Sequence, residues 1–70
     1  MSSWKQEHQD FGIIHVNGCN AVVYKGSNTY DVINVDQNIR KAKWSDGGVV
    51  VILQDGKKRK YESPTNYEPL

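Results

Sequence analysis

Cysteine and proline are both scarce in this chain of 70 residues. There is one cysteine, Cys19, and the two prolines, Pro64 and Pro69, fall within the last seven positions. A single thiol closes no disulfide within the chain, which excludes the covalent framework that staples many small secreted domains. Long hydrophobic runs are missing too. No stretch approaches the ~20 apolar residues of a membrane-spanning helix, and no membrane partner is expected. The opening residues, Met1 to Asp10, are polar almost throughout. They lack the apolar run of roughly 7–15 residues that marks a secretory signal. No Asn-x-Ser/Thr acceptor occurs. Together these absences predict an intracellular, cytoplasmic location. Apolar residues make up only 37% of the chain. A domain this short buries relatively little surface, so the core is expected to be thin or completed by a partner.

A charge excess of one sign is also absent overall, since the formal net charge is +1. That balance hides an asymmetry. Between Ile39 and Tyr61 stand seven basic residues (Arg40, Lys41, Lys43, Lys57, Lys58, Arg59 and Lys60) against two acids, Asp46 and Asp55. A polarised chain can attract an anionic partner locally despite a small total charge.

What the sequence does contain is a strand-and-turn pattern. From Phe11 onward, short runs rich in Val, Ile and Tyr alternate with Asn, Asp, Gly and Ser. Branched and aromatic side chains suit a pleated, half-buried surface. The pattern predicts an all-β domain over residues 11–61: a single small antiparallel meander of about six short strands, forming a partly open barrel or curved sheet. The strands are expected at Phe11–Val16, Ala21–Lys25, Thr29–Val35, Ile39–Trp44, Val49–Gln54 and Lys57–Tyr61. Residues 1–10 lack a clear period and read as a flexible N-terminal arm, with a short amphipathic helix as the less favoured alternative. Residues 62–70 read as an extended tail, because proline donates no ladder hydrogen bond; Tyr67 or Leu70 could cover part of the core.

Turn residues convert this pattern into faces. Asn17-Gly18, Asp46-Gly47 and Asp55-Gly56 each suit a two-residue hairpin loop, whereas Asp36-Gln37-Asn38 joins the middle strands less decisively. If Asn17-Gly18 is the loop, Ile14 opposes Ala21 and Ile13 opposes Val22. Phe11, Ile13, Val22 and Tyr24 then share one face, and Ile14, Val16, Cys19, Ala21 and Val23 the other. Both faces are apolar, so one is either buried in a two-sided core or exposed as an association surface. With Asp46-Gly47 as a loop, Trp44 opposes Val49 and Lys41 opposes Ile52. With Asp55-Gly56 as a loop, Leu53 opposes Lys58, Ile52 opposes Arg59, and Val50 opposes Tyr61. Ala42, Trp44, Val49, Val51 and Leu53 then make the core face, with Trp44 an anchor. Lys41, Lys43, Lys57 and Arg59 surround Ile39, Val50, Ile52 and Tyr61 on the opposite face.

That mixed face has two readings. Lys and Arg stems commonly cover apolar neighbours and protect sheet edges. Alternatively, the cations meet phosphates while Tyr61 stacks on a base. The candidate anionic-partner surface is therefore Lys41, Lys43, Lys57, Arg59 and Tyr61.

No catalytic motif assembles along the chain. His15 and Cys19 have ligand-like spacing, with His8 and Asp10 nearby, but zinc sites need three or four protein ligands. The same pair could be drawn as a thiolate and base, yet nothing in the sequence places them or an orienting group at working distance. Asp46 and Asp55 have turn roles, and no phosphate-loop, dinucleotide or paired Cys-x-x-Cys motif is present. No cofactor and no metal are expected. The roles of Trp4, His15 and Cys19 stay open. The leading expectation is a noncatalytic protein-binding or assembly module acting by self-association or on a protein partner; the alternative is a nucleic-acid-binding module using residues 39–61.

Overall fold

Among the described residues, seven strands and one short helix make up the fold. A computed structural model describes residues 4–70. Helix α1 spans Gln6–Phe11; the strands are β1 (Ile14–Asn17), β2 (Asn20–Tyr24), β3 (Tyr30–Asn34), β4 (Ile39–Ser45), β5 (Gly48–Leu53), β6 (Lys58–Ser63) and β7 (Asn66–Pro69). All pairings are antiparallel, as the strand-and-turn pattern requires. The single meander is split, however, into the sheets β1-β2-β3 and β4-β5-β6-β7, with no closed barrel.

The split occurs at Asp36-Gln37-Asn38, which closes no hairpin. The backbone N–H of Val35 donates to the Cys19 carbonyl at 2.9 Å, and that of Ile39 donates to Gly18 at 3.0 Å. Both strands flanking the connection are thus tied to the β1–β2 turn, and the chain passes from one sheet to the other.

Each hairpin register follows from its turn. Asp46 and Gly47 have φ of 49° and 78°. Positive φ at both central positions is the type I′ signature, and the pairs Trp44–Val49 and Lys41–Ile52 form as the sequence predicts. The first hairpin differs. Its loop is Gly18-Cys19, with positive φ at Gly18 but not at Cys19, the pattern of a type II′ turn. Ile14 therefore pairs with Val23 rather than Ala21, and His15 with Val22. This shift is even, so the strand side chains keep their expected faces, whereas Cys19, expected beside Val16 and Ala21, becomes an exposed turn residue.

The β5–β6 hairpin corrects the sequence reading more deeply. The Leu53 N–H donates to the Lys57 carbonyl at 2.8 Å, leaving a three-residue loop, Gln54 to Gly56, with Gly56 at φ 91°. A third loop residue in the left-handed region is the usual three-residue hairpin. Val51 now pairs with Arg59 and Val49 with Tyr61. The register is one residue from expectation, so every β6 side chain changes face. Gly56→Val is expected to cost about 1–2 kcal/mol, because a branched residue is strained at this φ although nothing lies within 4 Å of its Cβ position. Ser45→Ala should change stability by less than about 0.5 kcal/mol. Urea titration of both variants tests the loop; equal losses would contradict it.

The inner faces meet in one core. Ala21, Val23, Ile33 and Val35 from the first sheet and its exit pack with Ile39, Val49, Val51, Leu53 and Tyr61 from the second. A bulge between Ile39 and Lys41 leaves Arg40 unpaired and lets Ile39 oppose Leu53. The extra residue changes side-chain phase, which corrects the placement of Ile39 among the lysines. Trp44 packs against this core, edge-on to Trp4 with centroids 5.7 Å apart.

The segment read as an arm instead contributes α1 and the buried Trp4; residues 1–3 lie outside the described residues. The indole Nε1–H of Trp4 donates to the Tyr61 carbonyl at 2.9 Å. His8 is 3% exposed. Its Nδ1 accepts from the Lys5 backbone N–H at 3.1 Å and its Nε2 lies 2.7 Å from Asp31 Oδ2. Gly12, at φ 68°, ends the helix with its N–H on the His8 carbonyl. Six residues do not sustain a helix alone; burial of Trp4 and His8 holds this one. The tail forms β7, where Tyr67 pairs with Tyr61 while Leu70 stays exposed.

Candidate functional site

Because the inner faces of the sheets pack together, their outer faces point away from each other. The two surfaces differ in chemistry. On the first sheet, strand alternation turns Ile13, His15 and Asn17, then Asn20, Val22 and Tyr24, then Tyr30, Val32 and Asn34 outward. Phe11 joins them through Tyr24, with ring centroids 6.4 Å apart, and Tyr24 lies 5.5 Å from Tyr30. Phe11 is 39% exposed, Ile13 51%, Tyr30 53% and Val32 36%. A contiguous exposed patch of this kind is unlike scattered surface apolar residues. Its concave end is lined by Phe11, Ile13, His15, Tyr24 and Ser27. None of the nine strand-side positions bears an Asp, Glu, Lys or Arg.

The shared face of Phe11, Ile13, Val22 and Tyr24 was legible from alternation. The contribution of Tyr30 and Val32 was not. Val32 and Ile33 are adjacent and equally apolar, so the local pattern does not say which faces inward. The pairings of Val22 with Val32 and of Ala21 with Ile33 decide it.

On the second sheet, the outer face carries Lys41, Lys43, Val50, Ile52, Lys58 and Lys60, with Glu68 of β7 opposite Lys60. Of the five residues expected to form one surface, only Lys41 and Lys43 occupy this face. Lys57 lies in the connection before β6. Arg59 and Tyr61 turn inward with the shifted register, and Lys58 and Lys60 take their places. Tyr61 is 2% exposed and belongs to the core, so it offers no platform to a base.

Arg59 is committed within the fold. Its Nη1 donates to the Tyr61 hydroxyl at 3.4 Å and pairs with Asp36 Oδ1 at 3.0 Å. Its guanidinium lies 4.5 Å from the centre of the Tyr67 ring. The Tyr61 hydroxyl, followed by the Asp36 carboxylate, raises the Arg59 pKa above its ordinary value, with burial opposing them. This cation braces β6 and β7 against the exit from β3.

Comparison with family models, curated proteins and solved structures finds no match.

The residues weighed for metal or nucleophilic chemistry are dispersed. His15 projects from the outer face of the first sheet, whereas His8 is buried on Asp31. Cys19 sits at the β1–β2 turn with Sγ 3.6 Å from Asn38 Oδ1. Among the described residues, no group of three His, Cys, Asp or Glu side chains could hold a metal ion. No helix among them is long and apolar enough to cross a membrane.

Proposed function

We propose that this domain is a noncatalytic assembly module that self-associates through the outer face of β1-β2-β3. The exposed patch of Phe11, Ile13, Tyr30 and Val32 carries the reading. Burying apolar surface favours association by about 25 cal/mol per Å² removed from water.

The partner it suits is a second copy. A two-fold interface sets a patch against itself. A patch with net charge then repels its mate, whereas these nine strand positions carry no formal charge. The four lysines on the other outer face would oppose such pairing there. Two faces can meet about 10 Å apart in an aligned sandwich. Three strands of this length offer a footprint of roughly 14 by 17 Å, small for a permanent interface. The dimer is therefore weak and reversible.

Sedimentation equilibrium up to about 1 mM protein, a range suited to so small an interface, should show the mass rising from 8.0 kDa towards twice that value. Tyr24→Glu combined with Val32→Glu should restore the monomer while keeping the β spectrum, since a desolvated, unpaired carboxylate is costly. A monomer mass for the original chain across the whole range would refute self-association.

A further inference from the structure

The second outer face presents a different opportunity. Lys41 and Lys58 flank Ile52, and Lys43 and Lys60 flank Val50. Two-residue spacing along a strand separates neighbouring lysines by about 7 Å, and two strand spacings separate the rows by about 10 Å. Among the described residues, the side chains within pairing distance of an acid are His8, on Asp31, and Arg59, on Asp36, so none of these four lysines has such a partner. Glu68 opposes Lys60 across β6–β7 without forming an ion pair. Glu62 falls at the irregularity between Tyr61 and Ser63 and forms no ion pair. The centre of the patch is cationic.

We propose that Lys41, Lys43, Lys58 and Lys60 form a binding surface for the phosphate backbone of duplex nucleic acid. Duplex DNA carries one charge per about 1.7 Å of axis, so a 7 Å length presents about four phosphate charges. That matches four ammonium groups, whose flexible stems adapt to phosphate positions. The face has no aromatic group to stack on a splayed base, because Tyr61 is buried and Tyr67 lies on the opposite side. Recognition is thus sequence-independent and favours a duplex over a single strand. The face also suits a bilayer poorly. Val50 is only 7% exposed and Ile52 is half-buried, leaving no apolar wedge to enter lipid. Self-association uses the other side of the molecule, so the two surfaces act independently.

Anisotropy of a labelled duplex of about 20 base pairs tests this at micromolar protein. Between about 50 and 200 mM salt, affinity should fall about 100-fold, with a logarithmic slope of about −3 to −4, if four phosphates are engaged. Lys41→Gln/Lys43→Gln should reduce the slope by about two. Lys58→Met/Lys60→Met should do the same while keeping the aliphatic stems, one of which lies over Gly48. Each pair tests the surface alone if the other fails to retain the β spectrum. Lys5→Gln/Lys25→Gln, with the same change in total charge, should leave binding within about twofold.

Four results would overturn the proposal: no binding at about 50 mM salt, equal loss in the Lys5/Lys25 variant, unchanged slopes in both folded lysine pairs, or capture of anionic phosphatidylserine vesicles or polyglutamate in preference to the duplex. A single strand bound more tightly than the duplex would overturn the duplex assignment.

Discussion

Trp4→Ala is expected to lower stability by about 3–5 kcal/mol, the range for removing a large buried aromatic side chain. A chain of 70 residues has roughly 4–10 kcal/mol in total, so this one substitution should leave much of the population unfolded in mild denaturant. The effect has three sources. Trp4 is buried in the core, it meets Trp44 and His8 edge-on, and its Nε1–H bonds the Tyr61 carbonyl. Trp4→Phe retains a ring but loses the donor, so it should lose less than the alanine variant, including about 1 kcal/mol from the hydrogen bond. Urea midpoints at unchanged slope measure both. A loss below about 1 kcal/mol for Trp4→Ala would detach the N-terminal segment from the core.

The second large effect distinguishes the β6 register. Tyr61→Ala should cost about 3–5 kcal/mol, because the ring is in the core beside Tyr67 and its hydroxyl accepts from Arg59. Lys60→Ala should cost about 1 kcal/mol or less, since it loses an aliphatic stem lying over Gly48 rather than a core group. A two-residue Asp55-Gly56 loop would put Tyr61 among the lysines, and truncation there would cost little. Comparable small losses at positions 60 and 61 would thus favour the register expected from sequence and remove the basis for the Lys58 and Lys60 assignment. Thermal unfolding of both variants, with the β spectrum checked first, supplies the comparison.

These two variants probe the places where local reading failed. At the N-terminus, Gln6 to Asp10 has no apolar stripe to announce a helix. The buried member is His8, and its ring is satisfied by Asp31, 23 positions away. A polar residue that earns burial through a distant partner leaves no hydrophobic period. In β6, Lys58-Arg59-Lys60-Tyr61 alternates between cations before reaching Tyr61, so composition does not decide which two cations face outward. One added loop residue decides it. The candidate anionic-partner surface was consequently half legible: Lys41 and Lys43 stand on the predicted face, while Arg59 and Tyr61 exchange places with Lys58 and Lys60.

The sequence by itself determined the all-β class, because branched residues and turn formers alternate at strand spacing. It also determined the Asp46-Gly47 hairpin, whose dipeptide suits the required positive φ, and the core character of Val49, Val51 and Leu53. Tertiary structure decided the division into two sheets, since the Gly18 and Cys19 carbonyls that take up Ile39 and Val35 are distant along the chain. It also decided which apolar face of the first hairpin remains exposed. Both faces of β1 and β2 satisfy alternation, but one core packs against the second sheet. The other stays exposed at Ile13, Tyr30 and Val32, with Phe11 of α1 lying beside Tyr24 at one end.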